Sequence, residues 1–475
     1  MSSVQLLYYS KYSTAILSIL PCKDQTRLNR TTTIMETVCL AITVILYTGF
    51  VYSDDGWFWH VTDFHYDPTY LDVALSCNRN ASERGEFGHS WCDSPWKLVT
   101  SSIDAMREKA PDVDFIIWTG DSTPHIKDNV ASHDMYRDIV RNITQELKSK
   151  FNSTPVYPVF GNHDYYPAHQ FPPNNNLMYN EIYEEWKDWI NDDGQKTNFQ
   201  KGAYYTVKIS TGLRMMSLNT NLYYRSDKIS WLYRYSDPAE QFQWMAETLQ
   251  HAKNNSERVI IMSHVPPGVI PTEKATWMYP QFNHRFNEIM LEYSDIIAGL
   301  YFGHEHVDNF RIYYKSGSPV LVHLCAPSVT PWTYIPGGHG DGEPTRNPGI
   351  RLVRYDRMTG QPHEIRQYYL DFKLSNVNKV ANWTLEYSMP ADYQMTDLTP
   401  SSFHGLLERM KSNGSPEFTN YAMRRYIGGA LNDLRVTHCS SQACKKPFIC
   451  SIGNVDLAEF EFCDSDGNSR KPAFG

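Results

Sequence analysis

Residues 156–164 read VYPVFGNHD: an apolar run that breaks into a glycine, an amide, an imidazole and a carboxylate. The same grammar recurs in both directions. Upstream stand FIIWTGD (115–121) and FWHVTD (58–63), the latter running on into Phe64 and His65. Downstream stand LRMMSLNT (213–220), VIIMSHVPP (259–267) and IIAGLYFGHEH (296–306). Each begins apolar, and most then meet polar or glycine-rich punctuation. Helical patterns lie between several of them, over 96–109, 131–150 and 238–253. Buried strands that alternate with helices and open into polar loops predict an α/β layered fold. Ligands in such folds gather beyond the carboxyl ends of the strands.

Five of those ends carry metal-ligand chemistry: Asp63 and His65, Asp121, Asn162 with His163, His264, and His304 with His306. Two residues apart on an extended segment, Asp63 and His65 are expected to point to one side and share an ion, as are His304 and His306. Oxygen and imidazole ligands without thiolate suit Zn²⁺, Mn²⁺ or Fe. Seven ligands exceed the needs of one ion, so two ions sharing a bridging carboxylate are expected. Such a pair, about 3.5–4 Å apart, clamps a phosphoryl group, acidifies a bound water and steadies the leaving oxygen. A lone histidine such as His264 is more often a packed core residue than a ligand, but five ordered blocks reverse that weighting. Reading Asp63 and Asp121 as caps leaves His65 unexplained. The remaining histidines, His169 and His323 among them, fit no block and read as structural or solvated. The acidic run 181–193 reads as a solvated helix face.

The ordered set D-x-H, GD, GNHD, H and GHxH is similar to the calcineurin-like metallophosphoesterases. The longer strings FWHVTDFHYDPTY, CDSPW, WTGDSTPH, GNHDYYP, LNTNLYY and HVPPG resemble the acid sphingomyelinase-like phosphodiesterases. The resemblance implies a four-layer α/β/β/α sandwich with a paired zinc site between the sheet edges. By motif, Asp63, His65 and His306 would hold one Zn²⁺; Asn162, His264 and His304 would hold the other; Asp121 would bridge. His163 and His125 would sit over the phosphate, stabilise developing charge and protonate the leaving group. Glu305, between the last two histidines, departs from the family's small or polar residue. Read on an extended segment, it points away from the metals, and its charge is expected to disfavour polyanionic substrates.

Around this catalytic region (54–372) the chain divides into a leader (1–53), a helical, disulfide-stapled C-terminal subdomain (373–463, with helical stretches at 401–411 and 417–431) and a polar tail (464–475). The 14-residue apolar run VCLAITVILYTGFV (38–51) suits a signal peptide cleaved before Asp54, with Met1 or Met35 as the start. Removing 1–53 would take four basic and two acidic residues and change the net charge from −9 to −11. That balance lacks the basic field that holds a nucleic-acid polymer. Seven cysteines then remain, and the expected pairs are local: Cys77–Cys92, Cys439–Cys444 and Cys450–Cys463, with Cys325 buried and free. Sequence does not fix that connectivity, and a zinc knuckle is the alternative for the last four. Sequons at Asn80, Asn142, Asn152, Asn254, Asn382 and Asn413 are expected to carry glycans.

The expected product of these parts is a secreted, monomeric phosphodiesterase, extracellular and also lysosomal, with two Zn²⁺ ions. No lipid-extracting saposin module precedes FWHVTD, so extracellular nucleotides and related small phosphodiesters are the expected substrates, cleaved by a metal-activated hydroxide. Two alternatives stand beside this. One is hydrolysis of sphingomyelin or a related phospholipid. The other is a catalytically idle regulatory protein in peripheral contact with a membrane.

Overall fold

The computed structural model describes residues 54–72, 77, 84–333, 346–428, 439 and 441–465. The leader, both candidate start methionines, the Asn80 sequon and the tail beyond residue 465 lie outside the described residues. In chain order the strands are β1 (Asp55–Val61), β2 (Phe115–Trp118), β3 (Val156–Pro158), β4 (Tyr205–Ser210), β5 (Leu213–Ser217), β6 (Arg258–Met262), β7 (Val269–Ile270), β8 (Ala275–Thr276), β9 (Ile297–Phe302), β10 (Asn309–Lys315), β11 (Ser318–Cys325), β12 (Gly349–Asp356), β13 (Pro362–Leu370) and β14 (Trp383–Met389).

Two six-stranded sheets result, ordered β14-β13-β12-β1-β2-β3 and β10-β11-β9-β6-β5-β4. Their centres are parallel: β1 pairs with β2 (Phe58 opposite Phe115), and β6 pairs with β9. Side chains alternate across each strand, so each sheet has an inner and an outer face. On the inner face Phe58 meets Tyr301 of the other sheet edge-on at 5.4 Å. On the outer faces helices complete the layers. Trp186, in the helix Leu177–Ile190, packs on Trp118 of β2 at 5.7 Å. Phe286, in the helix Pro280–Glu292, packs on Phe302 of β9 at 6.3 Å. One continuous core runs through all four layers, as the α/β/β/α expectation requires.

Each of the six apolar runs between 58–63 and 296–306 contributes a strand, its short apolar stretch lying in the buried interior of a sheet. The helix expected over 96–109 is Trp96–Lys109, and that over 131–150 is His133–Lys150, capped by Ser132, whose hydroxyl accepts the Met135 N–H. The pattern over 238–253 is broken near its start. Ala239 and Glu240 take left-handed conformations, and the α-helix is Gln241–Asn254. The helical character expected from residue 373 onward is interrupted by β14, which extends the edge of the first sheet. After it come the helices Pro400–Lys411, Pro416–Arg424, Gln442–Gly453 and Leu457–Asp464.

The three expected disulfides form and Cys325 is free and buried, so the zinc-knuckle reading of the last four cysteines falls. The sequon asparagines 142, 152, 254, 382 and 413 are all exposed. Among the described residues no helix is long and apolar enough to cross a membrane. The acidic face of the helix Leu177–Ile190 is spanned by ion pairs, such as Arg141 with Glu185 at 2.7 Å.

Candidate active site

The parallel strands β1, β2, β6 and β9 all end on one side, and within a few residues each delivers a candidate ligand. The backbone there is not extended. Asp63, His65, Asp121, His304 and His306 have φ of 52°, 43°, 55°, 70° and 56°. For residues other than glycine this left-handed region is sparsely populated and marks functional sites. Asp63 and His65 therefore converge through tight left-handed turns, not through strand alternation, and the same holds for His304 and His306. Glycines make room for these loops to touch. A Cβ on Gly303 would lie 2.1 Å from Thr62 Oγ1 and 2.7 Å from Asp63 Oδ2. A Cβ on Gly120, at φ 90°, would lie 2.4 Å from the Gly161 nitrogen.

All seven candidate ligands meet. His65 Nε2 lies 3.0 Å from His306 Nε2, 3.3 Å from Asp121 Oδ2 and 3.8 Å from Asp63 Oδ1, and His306 Nε2 lies 3.2 Å from Asp63 Oδ1. On the other side His264 Nε2 lies 3.1 Å from Asp121 Oδ2 and 2.9 Å from Asn162 Oδ1, which is 2.6 Å from His304 Nδ1. Asp121 is common to both groups, as a bridging carboxylate must be.

The donor set fits cations. His65 Nδ1–H donates to the Thr123 carbonyl and His264 Nδ1–H to the Thr119 carbonyl, each at 2.7 Å. That choice of tautomer leaves both Nε2 lone pairs facing the cluster. Each carboxylate is likewise held chiefly by one oxygen, the His304 N–H reaching Asp63 Oδ1 at the longer 3.3 Å. Asp63 Oδ2 accepts Thr62 Oγ1–H at 2.6 Å and His304 N–H at 3.1 Å, while Asp121 Oδ1 accepts His163 N–H at 2.8 Å. Asp63 Oδ1 and Asp121 Oδ2 remain, and with the His65 and His306 nitrogens they lie within 4.8 Å of one another. Four electron-rich atoms that close need positive charge between them. Burial opposes charge on His264, but Asp121 outweighs it and lifts the imidazole to about 9. Burial would likewise raise Asp63, yet His306 and His65 hold it well below the usual carboxylate range.

His125 and His163 stand beside this cluster, as expected, with ring centres 4.3 Å apart. His125 is stacked between His65 at 4.1 Å and Trp332 at 3.8 Å. Its Nδ1 bonds Asp93 Oδ1 at 2.9 Å and its backbone N–H bonds Asp93 Oδ2 at 2.6 Å. Burial, then the neighbouring histidines, press His125 and His163 well below the ordinary imidazole value. Without bound ions the pocket thus favours the neutral rings of both. Burial raises Asp93 to about 6.

The cluster opens into a cavity of about 440 Å³ walled by His169, Tyr224, Trp277, Trp332, Arg346 and Arg425, among others. One expectation is narrowed and another changes here. His169, read as structural or solvated, is structural: its Nε2 lies 3.3 Å from Asn162 Nδ2 and fixes the amide so that Oδ1 faces the histidines. Glu305 does not offer its charge to a substrate. Its Oε1 accepts Arg311 Nη2–H at 2.6 Å and Trp277 Nε1–H at 3.0 Å, Oε2 accepts Asn309 Nδ2–H at 2.8 Å, and Arg425 Nη2 is 3.9 Å away. Against burial, Arg311 and Arg425 hold this carboxyl well below its usual range. Glu305 thus braces Trp277, whose ring stands edge-on to His304 at 4.4 Å.

Asp93, Asp164, His169 and Trp332 carry weight that sequence reasoning missed. Asp164 accepts N–H bonds from Gly161, Ser122 and Thr123 at 2.8, 2.7 and 3.1 Å, tying two ligand loops together. Its place in GNHD was the available signal. Asp93 lies within the CDSPW string, but nothing in one sequence joins it to His125. Trp332 lies in no quoted block.

The calcineurin-like phosphoesterase family model matches residues 56–308, and that of the acid sphingomyelin phosphodiesterase C-terminal region matches 318–468. Mouse acid sphingomyelinase-like phosphodiesterase 3b is 35% identical over 86% of this chain and 90% of its own. Human cyclic GMP-AMP phosphodiesterase SMPDL3A is 36% identical over the same shares. Sphingomyelinase phosphodiesterase C of Dictyostelium discoideum is 31% identical over 86% of this chain and 92% of its own. With motif order, layered fold and relatives in agreement, the chain belongs to the acid sphingomyelinase-like phosphodiesterases of the calcineurin-like family, and it is a metal-dependent phosphodiesterase.

Proposed function

We propose that this protein is a secreted, binuclear-zinc phosphodiesterase that hydrolyses extracellular nucleotides and related small phosphodiesters. The observation that carries the reading is Asp121 Oδ2, 3.3 Å from His65 Nε2 and 3.1 Å from His264 Nε2, shared between two half-sites. Asp63, His65 and His306 would hold one ion, Asn162, His264 and His304 the other, and Asp121 both. Bound there, paired divalent ions supply charge neutralisation for the phosphoryl oxygens and a water acidified to nucleophilic strength. The chain's own groups do the rest. Asp93 holds the His125 Nδ1–H, so the ring presents Nε2 to the leaving oxygen, and Nε2 takes up a proton from solvent before giving it to that oxygen. His163 lies beside it with its backbone N–H anchored on Asp121. Trp332 and Trp277 exclude water from the two flanks and offer flat faces to a base.

The nucleotide class is supported by the cavity's aromatic walls, by Arg346 and Arg425 among the lining groups, and by relatives named for a cyclic dinucleotide. Secretion is supported by the three disulfides and the exposed sequons. The second reading, a phospholipid headgroup, is favoured by the Dictyostelium discoideum relatives named for sphingomyelin. Purified protein assayed on nucleoside triphosphates, cyclic dinucleotides and sphingomyelin decides between them. Metal-dependent nucleotide turnover is expected; lipid turnover without nucleotide turnover overturns the assignment.

A further inference from the structure

Tyr224, Arg225 and Ser226 line the cavity, and the chain then turns directly into the short helix Lys228–Tyr233. That helix is pinned from beneath. Asp227 accepts the Ser230 N–H with Oδ1 and the Phe171 N–H with Oδ2, each at 2.8 Å. Ser230 Oγ–H donates to the Leu222 carbonyl at 2.6 Å, and the Lys228 N–H donates to the His169 carbonyl at 2.9 Å. Ser230 is the helix's one fully buried residue.

Its outward side is unlike a solvated helix face. Trp231, Leu232 and Tyr233 are 67%, 60% and 60% exposed, and Tyr235, 36% exposed, sets its ring 5.8 Å from Tyr233. Successive helical positions point about 100° apart, so three consecutive exposed apolar side chains mean that this turn stands clear of the body. Residues 231–236 are exposed without a break. Arg234 is the one charge among them, and Lys228 opens the helix, also exposed; 228–236 (KISWLYRYS) contains no acid, and the flanking Asp227 and Asp237 spend both oxygens on backbone N–H groups, although the chain as a whole carries −9. Large rings and a leucine flanked by basic heads are the composition of an interfacial anchor. Clusters of exposed apolar groups of this kind mark interaction sites.

We propose that residues 231–235, with Lys228 and Arg234, dock on an anionic lipid membrane and hold the cavity mouth against its surface. The sign of the patch selects this occupant. A two-fold contact with a second copy would set the basic patch against itself, whereas an anionic leaflet attracts each Lys or Arg near its surface. None of these side chains belongs to the candidate ligand set or the cavity lining, so docking holds whichever diester is cleaved.

Co-sedimentation of the full chain with vesicles at near-physiological salt tests this. Partition onto phosphatidylcholine containing about one-third phosphatidylserine is expected to exceed that onto phosphatidylcholine alone. A Trp231→Ser/Leu232→Ser double variant is expected to lower partition at least about tenfold, with metal content and turnover of a small soluble diester unchanged. A Lys228→Gln/Arg234→Gln double variant is expected to lose the preference for phosphatidylserine and keep the residual binding. Absence of partition by the unmodified chain, or equal partition by the Trp231→Ser/Leu232→Ser variant, overturns the proposal. So does a lipid-free, concentration-dependent self-association that this variant abolishes, which would assign the surface to a second copy.

Discussion

The floor and the wall of the cavity are built by different means. At the floor Asp63, His65, Asp121 and His264 are at most 1% exposed and lie within a few residues of the ends of β1, β2 and β6. Left-handed backbone and crowded glycines fix most of them. The wall residues His169, Trp277, Trp332 and Arg425 come from connections and from the C-terminal helical region, and all are only partly buried. They are held by side-chain contacts: Trp277 by Glu305, Trp332 by stacking on His125, His169 by Asn162. A floor fixed by backbone sets the reaction, while a wall fixed by side chains sets what is admitted. Floor substitutions should therefore cost turnover, and wall substitutions should cost affinity.

The hardest test of that division is Asp121→Asn. Loss of the shared carboxylate charge is expected to lower turnover at least about 10³-fold, with metal stoichiometry falling in parallel. Full metal content with full turnover would dissolve the bridging role. Next come His125→Ala and His163→Ala, expected to lose about 10²–10⁴-fold in kcat with metal content retained. Metal loss in either would move that histidine into the ligand set. Asp93→Asn should cost about 10–100-fold in kcat with little change in KM, because it frees the His125 ring without touching substrate. At the wall, Trp277→Ala should raise KM for nucleotides about tenfold and leave kcat nearly unchanged, in line with a lost stacking face. An equal fall in kcat would place Trp277 with the floor.

The smallest effect concerns pH and the metal-free protein. His264 holds its proton up to about pH 9 in the fold, against an ordinary value of 6.5. The native state therefore binds more protons than the unfolded chain between those values, and its contribution to stability is lost as pH rises through that window. Thermal unfolding of chelator-treated protein should show a midpoint falling from pH 6.5 to pH 9, a slope that added Zn²⁺ flattens.

Much of the floor was legible because its chemistry is local. VYPVFGNHD and its counterparts carry strand and ligand within a few residues, so their order predicted layers, strand ends and the seven ligand residues that meet there, while His125 and the bridging role of Asp121 came with the resemblance to the phosphodiesterases. The geometry was legible only in outcome. Strand alternation suggested that Asp63 and His65 share a side, yet they do so through φ of 52° and 43°. The wall was opaque because its pairs are remote: Asp93 and His125 are 32 positions apart, and Tyr421, which donates to Asn309 beneath Glu305, is 112 from it. No periodicity encodes such contacts.

By itself the sequence determined which residue types stand at the strand ends, the class of reaction they support, and which cysteines lie close enough along the chain to pair. Short-range spacing carries that information, since neighbours in the chain cannot be far apart in space. Only the tertiary structure decided that His125 and His163 are held toward their neutral forms, that Glu305 spends its charge on Arg311 and not on a substrate, and that Trp231 and its neighbours face outward beside the cavity mouth. Those outcomes depend on burial and on partners from distant segments, and they exist only once the two sheets have closed.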